Sequence, residues 1–281
     1  MTGLPVPQRS EIWLDGTPTV TLPLPDRGFD FGDGVFETML IHQGAPLFAD
    51  LHLERLSLGL KALAIPDCIA AARQQLDSFT GAIHGRWSVL RLSVSRGSSQ
   101  RGYAPPEDAV PRILISVSQL DRDCGQISTA AKLCFANIRL AMQPYLARIK
   151  HLNRLEQVLA AAQVKAEGVD EAILLDQNGH LASVVAGNLF LVHEGQLLTP
   201  KLDNCGILGT RRRLIIERWA PALGLAVRES TLTLRDLQAA DEIFYSNSLQ
   251  GVRPVSRIGQ QKWDAHGVCE AIFQRYQEEL R

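Results

Sequence analysis

Ala147-Arg148-Ile149-Lys150-His151-Leu152-Asn153-Arg154-Leu155-Glu156-Gln157-Val158-Leu159-Ala160 is the stretch on which the fold and chemistry of this chain turn. Leu152, Leu155, Val158, Leu159 and Ala162 recur at helical spacing, so a helix is expected behind the lysine. Asn153 is the expected N-cap, with Glu156 three residues on as its capping-box partner. Lys150 then falls in the turn before the helix, next to its positive end. The helix field and any neighbouring cation favour a neutral amine there. A neutral amine is what Schiff-base chemistry at a carbonyl needs. A single lysine beside a helix is more often simply solvated, so the rest of the chain decides between the two.

The bulk numbers exclude more than they assert. The chain has 281 residues, enough for one large domain or two ordinary ones. A net charge of −1 gives no pointer to nucleic acid or to an anionic membrane. No apolar run reaches the length of a membrane span, and residues 1–10 lack the basic start and apolar core of a secretion signal. The five cysteines, Cys68, Cys124, Cys134, Cys205 and Cys269, are odd in number and contain no C-x-x-C. Reduced thiols, a cytoplasmic location and no metal site are the expectation.

In the N-terminal half, 12–14 reads as a strand into an Asp15-Gly16 hairpin turn. Residues 26–38, D-R-G-F-D-F-G-D-G-V-F-E-T, are rich in glycine and aspartate and read as a sharply bent loop. A strand over 36–41 turns at Gln43-Gly44, and a helix with a leucine stripe follows over 51–60. That helix carries Arg55. Arginine on such a helix is usually solvated, but its fork also matches two phosphate oxygens. A helix over 69–79 and an alternating strand over 87–94 lead into a loop over 95–106, S-R-G-S-S-Q-R-G-Y-A-P-P, with Arg101 and Tyr103. A strand over 112–117 ends this half, and the polar run 118–125 is the expected interdomain connection.

In the C-terminal half, a strand over 132–139 precedes the lysine segment. Strands over 171–175 and from Leu181 flank an Asn178-Gly179 hairpin turn. Ala186-Gly187-Asn188-Leu189-Phe190 opens a buried strand. Gly206 and Gly209 precede a helix that starts near Arg211, a general cradle for an anion on backbone N–H groups. Arg211, Arg212 and Arg213 are expected in solvated or intersubunit ion pairs. A strand over 225–230, a short helix over 234–239, the segment 240–255 with its Asn247-Ser248-Leu249 turn, and an amphipathic helix over 268–280 complete the chain.

I-K-H-L-N-R-L-E-Q-V-L, D-R-G-x-x-F-G-D-G-x-F-E-T, H-x-x-R-L, S-R-G-x-x-x-R-G-Y, N-L-F and A-D-E-I-x-x-x-N-S-L together resemble the class IV aminotransferase family from about Trp13 to about Val255. The resemblance implies an α/β (α+β two-domain) architecture, the D-amino-acid-aminotransferase-like fold. It divides into an N-terminal domain over 1–118 and a C-terminal one over 119–281, with pyridoxal 5′-phosphate between them. Lys150 then holds the cofactor. Arg55, Gly209, Thr210 and Ser248 bind its phosphate end. Phe31, Thr38, Arg101, Tyr103, Asn247 and Leu249 face a small-molecule substrate. Five residues before Asn188 the family places a glutamate at the pyridine nitrogen, and this chain has Ser183. Asp176 is a carboxylate that could fill the same place. A second departure is Leu40, where the family often has arginine. K-H-L-N-R-L-E and S-R-G-x-x-x-R-G-Y resemble the lyase subgroup. That subgroup splits 4-amino-4-deoxychorismate into 4-aminobenzoate and pyruvate, toward folate. The alternative is a D- or branched-chain amino-acid aminotransferase on the same fold, and a non-catalytic cofactor-binding protein is a third. Family members are usually homodimers.

Overall fold

In the computed structural model, which describes residues 11–79, 85–99 and 102–280, the chain divides into two compact units. The first is Met1–Asp123 with Ile149–Asn153, and the second is Cys124–Arg148 with Arg154–Arg281. A division at 118/119 leaves Lys150 with the C-terminal half, whereas its five-residue segment clusters with the first unit.

The first unit contains β1 (Glu11–Leu14), β2 (Thr17–Pro18), α1 (Arg27–Phe31), β3 (Gly34–His42), β4 (Ala45–Pro46), α2 (Ala49–Ala62), α3 (Ile69–Phe79), β5 (Trp87–Ser95) and β6 (Arg112–Gln119). Its strands form one antiparallel sheet in the order β2-β1-β6-β5-β3-β4. Asp15-Gly16 and Gln43-Gly44 take positive φ at both positions, the geometry a two-residue hairpin turn requires. Strand alternation then sorts the side chains. Val35, Met39 and Ile41 of β3 pack with Leu53, Leu56 and Leu60 of α2 in the core. Phe36, Thr38 and Leu40 point to the opposite face. The stretch 26–38, expected as a loop, contains the short helix α1. Asp26 caps it by accepting from the N–H groups of Gly28 and Phe29, and Gly32 ends it at φ 66°.

The second unit contains β7 (Ala131–Phe135), α4 (Leu155–Glu167), β8 (Glu171–Leu175), β9 (Leu181–Val184), β10 (Asn188–His193), β11 (Gln196–Pro200) and α5 (Thr210–Leu214). α5 runs into a π-helical turn, Ile215–Trp219, and then α6 (Ala220–Ala222). β12 (Val227–Ser230), α7 (Leu234–Ala239), β13 (Glu242–Asn247), β14 (Gly251–Ile258), β15 (Gln261–Lys262) and α8 (Gly267–Glu278) follow. The sheet is mixed, in the order β12-β11-β10-β13-β14-β7-β8-β9, with β15 on β14. Leu133, Ile173, Leu189, Leu191, Ile243 and Val255 pack on one of its faces.

Three local expectations are corrected. Asn153 does not cap α4: its side-chain nitrogen donates to Gly32 O, while Glu156 accepts from the Ala141 N–H. Arg154 stands at the cap position, and its side chain does not cap the helix. The strand expected over 132–139 stops at Phe135. At Asn178-Gly179 only the glycine has positive φ, so the turn is not the expected Asn-Gly type. Asp176 Oδ1 holds it instead, accepting from the N–H groups of Asn178 and His180. Among the described residues, no helix is long and apolar enough to cross a membrane.

Candidate active site

The first unit places Lys150 through its backbone. β4 is only two residues long and leaves the start of β3 unpaired on that side. Residues 150–152 take the vacant edge: Phe36 N donates to Lys150 O at 2.9 Å, and Leu152 N donates to Gly34 O at 3.0 Å. Gly34 is required for this approach, because a Cβ there would lie 2.3 Å from Val94 O and 2.7 Å from the Leu152 side chain. The Lys150 amine lies 4.2 Å from the centroid of the Phe36 ring. The guanidinium carbon of Arg91 lies 3.9 Å from the same centroid. Arg91 stands directly opposite Thr38 in the β3–β5 register, so both share the face that carries Phe36. One sheet face therefore gathers the Lys150 amine, the Thr38 hydroxyl and the Arg91 guanidinium. Partial desolvation draws the Arg91 guanidinium below its ordinary pKa, although the residue as a whole is exposed.

Arg55 is on the other face. Its Nε and Nη2 donate to the two oxygens of Glu37 at 2.7 and 2.5 Å, and His52 Nδ1 lies 2.6 Å from the same carboxylate. Burial alone would raise the Glu37 pKa, but the charges and hydrogen bonds of Arg55 and His52 hold it down at about 2. Arg55 is thus anchored before any phosphate is considered.

Phe31 and Tyr103 are brought together, with ring centroids 5.3 Å apart. Buried Arg27 organises both. Its guanidinium lies over the Phe31 ring, and it donates to the carbonyls of Gly102, Tyr103 and Ala104 and to Asp33. Arg101 lies outside the described residues.

The second unit supplies a cradle. Asn188 opens β10 and clamps the 207–209 turn: its Nδ2 donates to Ile207 O at 2.8 Å, and its Oδ1 accepts from Gly209 N at 3.0 Å. A Cβ on residue 209 would lie 2.1 Å from that oxygen, so any other residue there must displace the Asn188 side chain. The Thr210 and Ser248 hydroxyls are 3.3 Å apart, and Arg211 Nη2 donates to Ser248 O at 3.2 Å. Ser246, across the register from Asn188, is 1% exposed and its hydroxyl has no partner among the described residues. Small hydroxyls, a turn clamped by Asn188 and a buried cation behind it form a donor set that fits a phosphate. Asn247 Oδ1 is occupied in its own turn, accepting from the N–H groups of Leu249 and Gln250. The arginine run is corrected: Arg211 and Arg212 are buried, Arg212 bonds to Pro200 O and Glu229, and only Arg213 makes an exposed pair, with Glu217.

Ser183 is buried on β9, directly opposite Leu174 of β8. Asp176 is committed to its own turn and to His180 Nδ1. Glu171, three residues before Leu174, projects from the other face of β8.

Arg91, Arg27 and Glu171 were not singled out from the sequence. A lone arginine in an alternating strand reads as a surface residue, and its closeness to Lys150 arises from non-local register. The available signal for Arg91 was that alternation puts positions 89, 91 and 93 on one face.

The profile of the Amino-transferase class IV family matches residues 34–258. The chain is 33% identical to an aminodeoxychorismate lyase of Vibrio harveyi over 250 residues, covering 88% of this chain and 90% of that protein. It is 31% identical to a putative branched-chain-amino-acid aminotransferase of Methanocaldococcus jannaschii over 236 residues, 83% of this chain and 81% of that one. Among solved structures, the 4-amino-4-deoxychorismate lyase of Pseudomonas aeruginosa superposes with a TM-score of 0.86 at 38% identity, covering 94% of this chain and 97% of that one.

Proposed function

The chain belongs to the class IV aminotransferase family, whose enzymes depend on pyridoxal 5′-phosphate, and from that premise we propose that it is a lyase converting 4-amino-4-deoxychorismate to 4-aminobenzoate and pyruvate. The observation that carries the proposal is the placement of Lys150. Its backbone is pinned along β3, and its amine shares a sheet face with Phe36, Thr38 and Arg91.

Lys150 holds the cofactor through its amine. Gly209, Thr210 and Ser248 take the phosphate, and Arg55 is kept as a further phosphate contact beside its pair with Glu37. The cofactor, when bound, supplies an electron sink for the charge left by proton removal. Lys150 Nζ would also carry the proton away from the substrate carbon. Arg91, Arg101 and Tyr103 orient a substrate with two carboxylates, for which guanidinium forks are suited. Phe31, Thr38, Asn247 and Leu249 complete the substrate side. Loss of enolpyruvate, which becomes pyruvate, leaves an aromatic ring and drives the reaction.

Ser183 favours the lyase over the aminotransferase. A hydroxyl cannot keep the pyridine nitrogen protonated as a carboxylate does, and transamination relies most on that proton. The aminotransferase remains the second reading, supported by 31% identity to the Methanocaldococcus jannaschii protein. Incubation with aminodeoxychorismate, followed by assay of pyruvate and 4-aminobenzoate, tests the first. Amino-acid/2-oxoacid pairs run in parallel test the second. Exclusive amino transfer, with no pyruvate from aminodeoxychorismate, sinks the lyase.

A homodimer in a reducing, cytoplasmic compartment belongs to the same proposal. Leu155, Val158 and Leu159 lie at helical spacing on α4 and are 77%, 58% and 58% exposed, an apolar stripe suited to a second copy. The five cysteines are all free thiols.

A further inference from the structure

We propose that Glu171 is a positioning residue for the phosphate cradle, an inference that rests on the cofactor assignment above: it fixes the 184–187 turn and, through that turn, the asparagine that clamps Gly209. The hydrogen-bond chain is short. Glu171 Oε1 accepts from Ala186 N at 2.6 Å. Val184 N donates to Gly187 O at 3.1 Å, so Val185 and Ala186 form the tip of a tight turn. Gly187 is packed so closely that a Cβ there would lie 2.6 Å from Ser246 O. The next residue is Asn188, whose two side-chain bonds hold Ile207 O and Gly209 N. A shift of the turn tip therefore moves Asn188, and with it the turn that leads into Thr210.

The energetics say that Glu171 is not there for stability. It is 8% exposed and, among the described residues, has no ion-pair partner. Arg253 on β14 is the cation whose charge reaches it, but Arg253 is bonded to Asp170, Thr129 O and the Tyr245 hydroxyl. Burial pushes the Glu171 pKa up to about 7, helped by the Asp170 charge and opposed by the Ala186 N–H and by Arg253. A carboxyl raised from 4.5 to about 7 withdraws stability progressively as pH climbs through that interval, and the loss levels off above it. An apolar residue of similar size serves folding better at pH 8. What the carboxylate adds is a charge-assisted acceptor for one particular N–H.

Glu171→Leu removes the acceptor and keeps the bulk. Dissociation constants for pyridoxal 5′-phosphate and for pyridoxal, which lacks the phosphate, are measured on the wild-type chain and the variant, together with the unfolding midpoint of each at pH 8. The expected result is roughly ten-fold weaker binding of the phosphorylated compound with pyridoxal nearly unchanged, as for loss of a support to a ligand-holding group. The unfolding midpoint is expected to be equal or higher. Glu171→Gln, whose amide carbonyl still accepts, retains most of the preference. Glu171→Asp, which keeps the charge and shortens the reach, loses it like leucine and serves where leucine is not tolerated. Preference for the phosphate that survives both Leu and Asp overturns the role of Glu171 alone. A wild-type chain with no such preference overturns the cradle itself and Glu171's part in it together.

Discussion

Lys150 is held by main chain, so its amine is a replaceable part in a fixed mount. Lys150→Ala is expected to fold normally and to lose all borohydride-trapped cofactor; label recovered on Lys132 or Lys165 would move the assignment. Arg55 is different because its partner is buried. Arg55→Ala strands Glu37, and a loss of about 3–5 kcal/mol in urea unfolding is expected, in addition to weaker cofactor binding. The same pair sets an acid limb. With Glu37 held at about 2 against an ordinary 4.5, its contribution is complete above pH 4.5 and disappears as pH falls toward 2. Urea midpoints stepped across that interval should drop in the wild-type chain and drop less in Arg55→Ala. Ser183→Glu should raise amino transfer relative to pyruvate release, and an unchanged ratio in a side-by-side assay counts against the role given to Ser183. Lys150 and Ser183 stand out as candidates in the chain because each lies within a contiguous motif. Arg211 and Arg212 do not: a triplet of arginines looks solvated, and only the packing of α5 reveals that two of them are buried.

At the level of elements, strands and helices were legible wherever periodicity ran long. β3, α2, α3 and β5 follow from alternation or a leucine stripe. The errors fall at ends and turns, where a tertiary partner outbids the local one. Asn153 is drawn away from the α4 cap by Gly32 O, and Glu156 by Ala141 N. Asp176 overrides the Asn-Gly signal by taking two N–H groups itself. α1 escaped notice because glycines mask a five-residue helix with a good aspartate cap. The 207–209 turn offers the sharpest test. Gly209→Ala sets a methyl against Asn188 Oδ1, so the clamp must open. Pyridoxal 5′-phosphate affinity is expected to fall at least ten-fold, by roughly the strength of one or two charge-assisted hydrogen bonds. Fluorescence titration giving a wild-type dissociation constant would remove this turn from the site.

For the whole molecule, the α4 stripe makes association testable. Leu155→Glu with Val158→Glu should shift sedimentation from dimer to monomer with little change in far-ultraviolet circular dichroism. A wild-type chain that sediments as a monomer ends the dimer proposal. The chain path has a consequence for synthesis. Residues 1–123 leave the ribosome first and contain every strand of the first sheet, yet the edge at Gly34–Phe36 has no neighbour until Ile149–Asn153 is made. Domains generally form as they emerge, N-terminal first. The first unit must therefore wait, with a bare sheet edge, through the translation of 25 residues, Cys124–Arg148, that belong to the other unit. A nascent chain paused at 145 should be open to edge pairing with its neighbours, and one released past 153 should be closed. Cutting the gene at 123/124 would put Lys150 on the second fragment and the β3 edge that holds its backbone on the first.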